Sequence, residues 1–298
     1  MHTFHKRSPG KITFDIFNVG LMILISLLCI APVWHVVMSS ISDPIDLNRA
    51  TGMMFVPMGE PTLEGYRLIF SEGSNVILGY LNTAFYLVAG VSFSIFMTIL
   101  AGYGLSRKGV MWNNWVMFFL AFTMLFSGGL IPFFMVVRAL GWLDTRWAVI
   151  IPGSVSVFNI IIMRTSFAGI PDSLEESAKM DGAGHFTIML RIMVPLAKAT
   201  IAVLVLFYSI GVWNSWFFPS IFLNDRNLFP LQLFLREIII RNDMSAVTTA
   251  AEAAELANLY RHLVRYTTIV AATIPVLCFY PFAQKYFVKG VMIGSIKG

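Results

Sequence analysis

Residues 174–196 read LEESAKMDGAGHFTIMLRIMVPL. Glu175, Glu176, Lys179, Asp181, His185 and Arg191 are set here between two strongly apolar stretches of the chain. The local grammar is helical. Pro171 does not readily continue a preceding helix. Ser173-x-x-Glu176 and Asp172-x-x-Glu175 are capping boxes in adjacent registers. Glu175 and Lys179 stand i, i+4 in the favourable order. Gly182 and Gly184 are placed to stop this helix, because glycine takes the left-handed conformation without a Cβ clash. A second helix is expected after them. Phe186, Met189, Leu190 and Met193 fall at i, i+3, i+4 and i+7, which makes one apolar face. Pro195 then leads into the next apolar run. Residues 171–195 read as helix, glycine hinge, helix, and on residues alone they fit an interfacial amphipathic helix equally well.

The rest of the chain explains why a polar interruption stands out. It has 298 residues, 57% hydrophobic and 12% charged, with mean hydropathy +0.75. Soluble domains carry about 25% charged residues, so lipid is the expected solvent for most of this surface. Six stretches have the roughly 20 apolar residues that a helix needs to cross a bilayer. They lie near 15–39, 77–105, 113–138, 146–168, 197–222 and 266–288. Backbone polar groups in lipid are satisfied only by helices or closed barrels, and these runs are too long for barrel strands. The expectation is an all-α integral membrane protein with six transmembrane helices in one domain, 1–298. The basic start, MHTFHKRSPGK, precedes a run too long for a signal-peptide core, so it reads as a retained first span.

The net charge is +5. The basic residues lie mostly between spans, which speaks for topology and anionic headgroups rather than nucleic acid. With both termini cytoplasmic, the inner segments carry 12 of the 21 basic residues and 5 of the 16 acidic ones. Arg107 and Lys108, in a short loop, are the most telling of these. The long outer segments are 40–76 and 223–265. The second contains SAVTTAAEAAELANLYRHLVR, which has the pattern of a short amphipathic helix. Cys29 and Cys278 have no ligand-like neighbours and read as packing residues. No metal site and no catalytic constellation is present.

The spacing in the opening stretch goes further. Glu176-Ser177-Ala178, then Gly182, then Ile192, Val194 and Pro195 resemble E-A-A-x3-G-x9-I-x-L-P. That motif belongs to membrane subunits of binding-protein-dependent ABC importers. Ser177 and Val194 are mild departures, and Asp181-Gly182-Ala183 matches the usual D-G-A. The segments 126–153, 158–183, 213–240 and 286–298 resemble the carbohydrate-uptake class, related to the maltose-transporter permeases. The resemblance implies the type I ABC importer permease fold in a bacterial inner membrane. It implies a heterodimer with a second permease subunit, two nucleotide-binding ATPase subunits beneath, and an extracytoplasmic solute-binding protein delivering saccharide. The loop 171–195 would be the coupling helix, with Glu175, Glu176, Ser177, Ala178, Asp181, Gly182, Ala183, Gly184, Ile192 and Pro195 at the ATPase contact. ATP and Mg would be bound by the partner subunits. This chain has no G-x-x-x-x-G-K-[ST], since Gly10-Lys11 lacks both the upstream glycine and the Ser/Thr, and no cofactor of its own is expected.

Polar or bent positions inside spans are candidates for a saccharide pathway. Ser127, next to Gly128-Gly129 and Pro132, breaks span three. Asn159 and Asn214 fall within spans four and five, and Trp213 and Trp216 belong to an aromatic cluster that also suits an interface belt. Arg164 is expected to snorkel and His35 to pack. In the maltose-type family the tail carrying Lys289 and Lys297 can reach the ATPases. The competing reading, a stand-alone secondary transporter or channel, needs ionisable groups at the midplane, and none of the acidic residues falls there.

Overall fold

The computed structural model describes residues 9–71, 74–240 and 260–279. Among these residues every regular element is a helix. The chain divides into two compact units, 1–74 with 242–273, and 75–241 with 274–298.

In the first unit α1 (Pro9–Ser40) is one long helix whose apolar side chains lie almost wholly exposed, as a lipid-facing span requires. Its end is polar and buried at Ser39, Ser40 and Ser42. The segment after it is held by side chains rather than by length of helix. Asp43 caps α2 (Pro44–Arg49), accepting from the amides of Ile45 and Asp46 at 2.8 and 3.3 Å. Trp34 Nε1 donates to the Phe55 carbonyl at 2.9 Å, and the Met54 amide donates to His35 Nδ1 at 3.0 Å. His35 thus packs, edge-on to Tyr266. Gly59 has φ +65°, and a Cβ there would lie 2.4 Å from Asp46 Oδ2, so no other residue fits. The short α3 (Glu64–Ile69) closes this unit's first segment.

The second unit is built on α4 (Asn75–Ser106). Next come α5 (Asn113–Leu125) and α6 (Leu130–Ala139), bent by 115° at Phe126–Gly129. The third expected span is therefore two helices, as Ser127-Gly128-Gly129 foreshadowed. The fourth is also broken, into α7 (Trp147–Ile150) and α8 (Val157–Ala168). The polar α9 (Asp172–Met180) follows. α10 (His185–Ile188), a π-turn (Met189–Met193) and α11 (Val194–Leu196) make one short run, which meets α12 (Lys198–Trp213) at 83°. Then come α13 (Phe217–Phe222) and α14 (Leu231–Ile240). α15 (Tyr260–Phe279) has the length of a span.

Each of the six expected stretches is mainly helical where described, with non-helical breaks at 126–129, 151–156 and 214–216. By length and composition, three single helices can cross a membrane, or five spans if each bent pair counts as one; α8 is apolar but short. The proposed outer helix over 245–265 is described only from Tyr260, where it is already part of α15, and its remainder lies outside the described residues. So do the tail from 280 and Lys289 and Lys297. Cys29 and Cys278 are exposed rather than packed.

Asp144 joins two connections. It is left-handed, φ 58°, and its Oδ1 accepts from the amides of Asn224 and Asp225 at 2.9 and 2.8 Å. Those two donors hold its carboxyl below the usual carboxylate value. A lowered folded value means that this contribution is present above the unfolded carboxylate range and is lost as pH falls through the folded value. Asp144→Asn keeps the acceptor and the left-handed preference but loses the charge, so it should lower thermal stability slightly near neutral pH and flatten the loss on acidification. Asp144→Ala should cost about 1 kcal/mol from the left-handed backbone alone.

Candidate functional site

The 171–195 stretch forms the predicted helix–turn–helix, but by different chemistry. Neither capping box closes. Pro171 stands at the N-cap position of α9 with no side-chain cap. Asp172 and Glu175 instead reach the α4–α5 connection, where Lys108 pairs with Asp172 and Arg107 with Glu175. An ion pair with a fixed cation outcompetes a local cap here because α9 is seated on the end of α4. Lys108 and Asp172 are exposed. Each holds the other's charge, so Asp172 titrates below and Lys108 above its ordinary value.

Glu175 is the buried member, 8% exposed. Besides Arg107 it takes the expected i, i+4 partner, Lys179, at 2.9 Å. The Arg107 guanidinium lies 4.8 Å from the centroid of the Tyr103 ring, and Tyr103 Oη is 3.4 Å from His185 Nδ1. The first and second helices of the loop are thus both tied to the last turn of α4. Below this polar layer, Ala178, Ile188, Met189 and Met193 share one apolar cluster with Tyr103, Met163, Phe167 and Leu204.

Gly182 ends α9 as expected. Its φ is +80°, the amide of Gly182 donates to Lys179 O at 3.0 Å, and that of Ala183 donates to Ala178 O at 2.9 Å. This is the Schellman pattern, with Ala183 packed back against the cluster of Ala178. Gly184 does not stop the helix. With φ −75° and ψ 163° it is the N-cap position of α10. The expected apolar face is half right. Met189 and Met193 are buried, but Phe186 and Leu190 are 71% and 58% exposed. Ile188 joins the buried face instead, and the π-turn that follows it rotates the later side chains off the expected 3.6-residue period. Ile192 is half-buried beside Met193, and Pro195 is exposed within α11.

The outer face of the loop therefore carries Glu176, Asp181, Gly182, Met180, Phe186 and Leu190, all exposed. Glu175 and Glu176, indistinguishable in sequence, separate cleanly: one faces the chain's own α4 and the other faces away.

A second feature of this unit is a cavity of about 800 Å³ between α4, the α7–α8 break and α12. Asn159, 5% exposed, lines it beside Tyr86, Ser94, Tyr208, Ser215 and Phe218. No lining residue is charged. Tyr208 Oη accepts from the Ser156 amide at 3.2 Å and lies 2.7 Å from Thr98 Oγ1, which fixes the start of α8 against α4 and α12. Of the pathway candidates Asn159 is brought to this cavity, as are Phe218 and Pro219 of the aromatic cluster around Trp216. Trp213 and Asn214 border a separate groove with Leu87, Val91 and Ser209. Asn214 also donates to Ile210 O at 3.0 Å and ends α12. Trp216 lies under the Arg236 guanidinium, 3.9 Å from ring centroid to carbon. Ser127 lies exposed in the α5–α6 break. Tyr86, Ser94 and Tyr208 were not singled out from sequence, because single hydroxyls in apolar runs carry no spacing signal.

A bundle of apolar, broken helices with a capless polar helix clamped to one end defines a multi-pass membrane protein of the all-α type. A family profile described as "Binding-protein-dependent transport system inner membrane component" matches residues 90–293. The chain belongs to that family and is a transport component rather than an enzyme. It is 39% identical over 293 residues to the polygalacturonan/rhamnogalacturonan transport system permease protein YtcP of Bacillus subtilis (strain 168), covering 96% of this chain and 98% of that one. It is 35% identical to protein LplC of the same organism over 299 residues, covering 100% and 99%. The crystal structure of a bacterial ABC transporter involved in the import of the acidic polysaccharide alginate contains a chain that superposes with TM-score 0.84 at 32% identity, covering 95% of this chain and 99% of that one.

Removing Arg107 leaves Glu175 with Lys179 as its remaining cation. Arg107→Ala should therefore destabilise the protein by about 2 kcal/mol, the loss of a hydrogen bond to a charged group, and Arg107→Met with Glu175→Leu should recover most of that loss. Unfolding of the purified protein in a denaturing detergent titration measures both.

Proposed function

We propose that this chain is the membrane-spanning permease subunit of an ABC importer that moves oligosaccharide or polysaccharide fragments into the cytoplasm. It pairs with a second permease subunit, two ATPase subunits that bind ATP and Mg, and an extracytoplasmic binding protein. Both termini are cytoplasmic, which places Arg107, Lys108 and the 171–195 loop on the ATPase side. The observation that carries this reading is the outer face of that loop. It presents exposed acid at Glu176 and Asp181 beside exposed apolar Met180, Phe186 and Leu190, on helices that are rigidly held from behind. A partner groove that covers this face can push on it, and Glu175 passes the push to α4 through Arg107. Substrate movement is then alternating access, driven by differential binding of the two states.

The 800 Å³ cavity suits a sugar. Asn159, Tyr86, Ser94 and Ser215 offer donors and acceptors for hydroxyls, and Phe218 offers a ring for C–H faces. Two of the related transport proteins handle acidic glycans, and this wall has no cation. If the cargo is acidic, its carboxylates find their counter-charges on other subunits.

Purification of the tagged chain should bring down an ATPase and a second permease. In the reconstituted complex a saccharide should stimulate ATP hydrolysis, with uronate oligosaccharides exceeding neutral maltooligosaccharides. Glu176→Lys should abolish that stimulation without loss of membrane insertion. Asn159→Leu should raise the saccharide concentration needed by about five- to tenfold, the loss of one or two hydrogen bonds. A chain that transports alone, with no ATPase attached, overturns the proposal.

A further inference from the structure

The connection between α4 and α5 encloses a pocket that neither the outer face of the loop nor the saccharide cavity uses. Its volume is about 530 Å³, and Arg107, Lys108, Trp112, Asn113, Trp115 and Arg164 line it. No acidic residue does. Arg107 and Lys108 share their charge with Glu175 and Asp172. Arg164 does not. Its Nε donates to Leu105 O at 3.0 Å, and among the described residues its guanidinium has no carboxylate partner.

Two further groups at this wall are unmet. α5 starts after Trp112, a left-handed residue (φ 68°) whose side chain provides no cap. The amides of Asn114 and Trp115 have no acceptor among the described residues, and the next one, Val116, returns to Trp112 O at 2.9 Å. Asn113 Nδ2 donates to Leu105 O at 3.1 Å, which leaves its Oδ1 buried without a donor. Uncapped amides at a helix N-terminus beside the unpaired Arg164 favour a phosphate.

The tryptophans indicate where that ligand comes from. Trp112 and Trp115 are 63% and 58% exposed at the start of an apolar helix, where indole rings sit at headgroup depth. Basic pockets between spans at that depth take anionic headgroups. We propose that this pocket binds an anionic glycerophospholipid such as phosphatidylglycerol. Its phosphate meets Arg164 and the α5 amides, and its acyl chains lie along the exposed Phe118, Phe119 and Phe122 of α5.

Native mass spectrometry of the purified transport complex, titrated with lipid, tests this. Phosphatidylglycerol should bind at a saturable site that phosphatidylcholine does not fill, and inorganic phosphate at about 10 mM should not displace it. Arg164→Gln should weaken that binding about fivefold, the effect of one arginine near an anionic surface, and Arg164→Lys should restore most of it. Trp115→Ala changes only an exposed ring, so it should weaken binding without disturbing the fold. Equal binding of the two lipids, full displacement by inorganic phosphate, or wild-type phosphatidylglycerol binding by both Arg164→Gln and Trp115→Ala would each overturn the proposal.

Discussion

A carboxylate that is nine-tenths buried has to be answered, and Glu175 is answered twice, by Arg107 and by Lys179. Much of the second unit's polar end follows from that requirement. Arg107 can reach Glu175 only if α9 lies across the last turn of α4, and that position sets Ala178 into the apolar cluster with Met163 and Phe167. It also commits Asp172 to Lys108 and so opens the capping boxes that the sequence offers. Desolvating such a pair gains little net stability over an apolar alternative. Its effect is specificity: a short helix is held in one register and one direction.

The same unit tolerates broken helices because other groups satisfy the freed backbone. In lipid, an open amide costs several kcal/mol, so a break persists only where it faces protein or a polar cavity. At the start of α8, Ser156 caps the helix and its own amide is taken by Tyr208, which is in turn held by Thr98. The break is thus part of a cavity wall. Where α10 meets Pro195, which has no amide to give, the chain adopts a π-turn and rotates its side chains by a fraction of a turn.

These two places mark the boundary of what sequence can tell. Helix positions, the polar loop, the left-handed Gly182 and the Glu175–Lys179 pair were all legible, because hydropathy, glycine and i, i+4 spacing are local signals. The Asp172-x-x-Glu175 capping box misled because a local bond lost to a non-local one from Arg107 and Lys108, residues that had informed only orientation. Phe186 and Leu190 misled because a π-turn breaks the 3.6-residue period on which the reading depends. Asn159 was legible as a polar residue in an apolar run, whereas Trp213 and Asn214, chosen by the same rule, border a different groove. Polarity says that a residue avoids lipid; only packing says which interior it faces.

Under the proposed function, with the large cavity as part of the cargo's path, its uncharged lining has a consequence for the motion of a long cargo. A fixed cation would make one deep energy well, and a polymer would dwell there and leave slowly. Hydroxyls, an amide and aromatic rings instead make a series of shallow, nearly equal wells, and each sugar unit of a chain can take the place of the one before it. A passage of this kind grades cargo by fit to its width more than by charge.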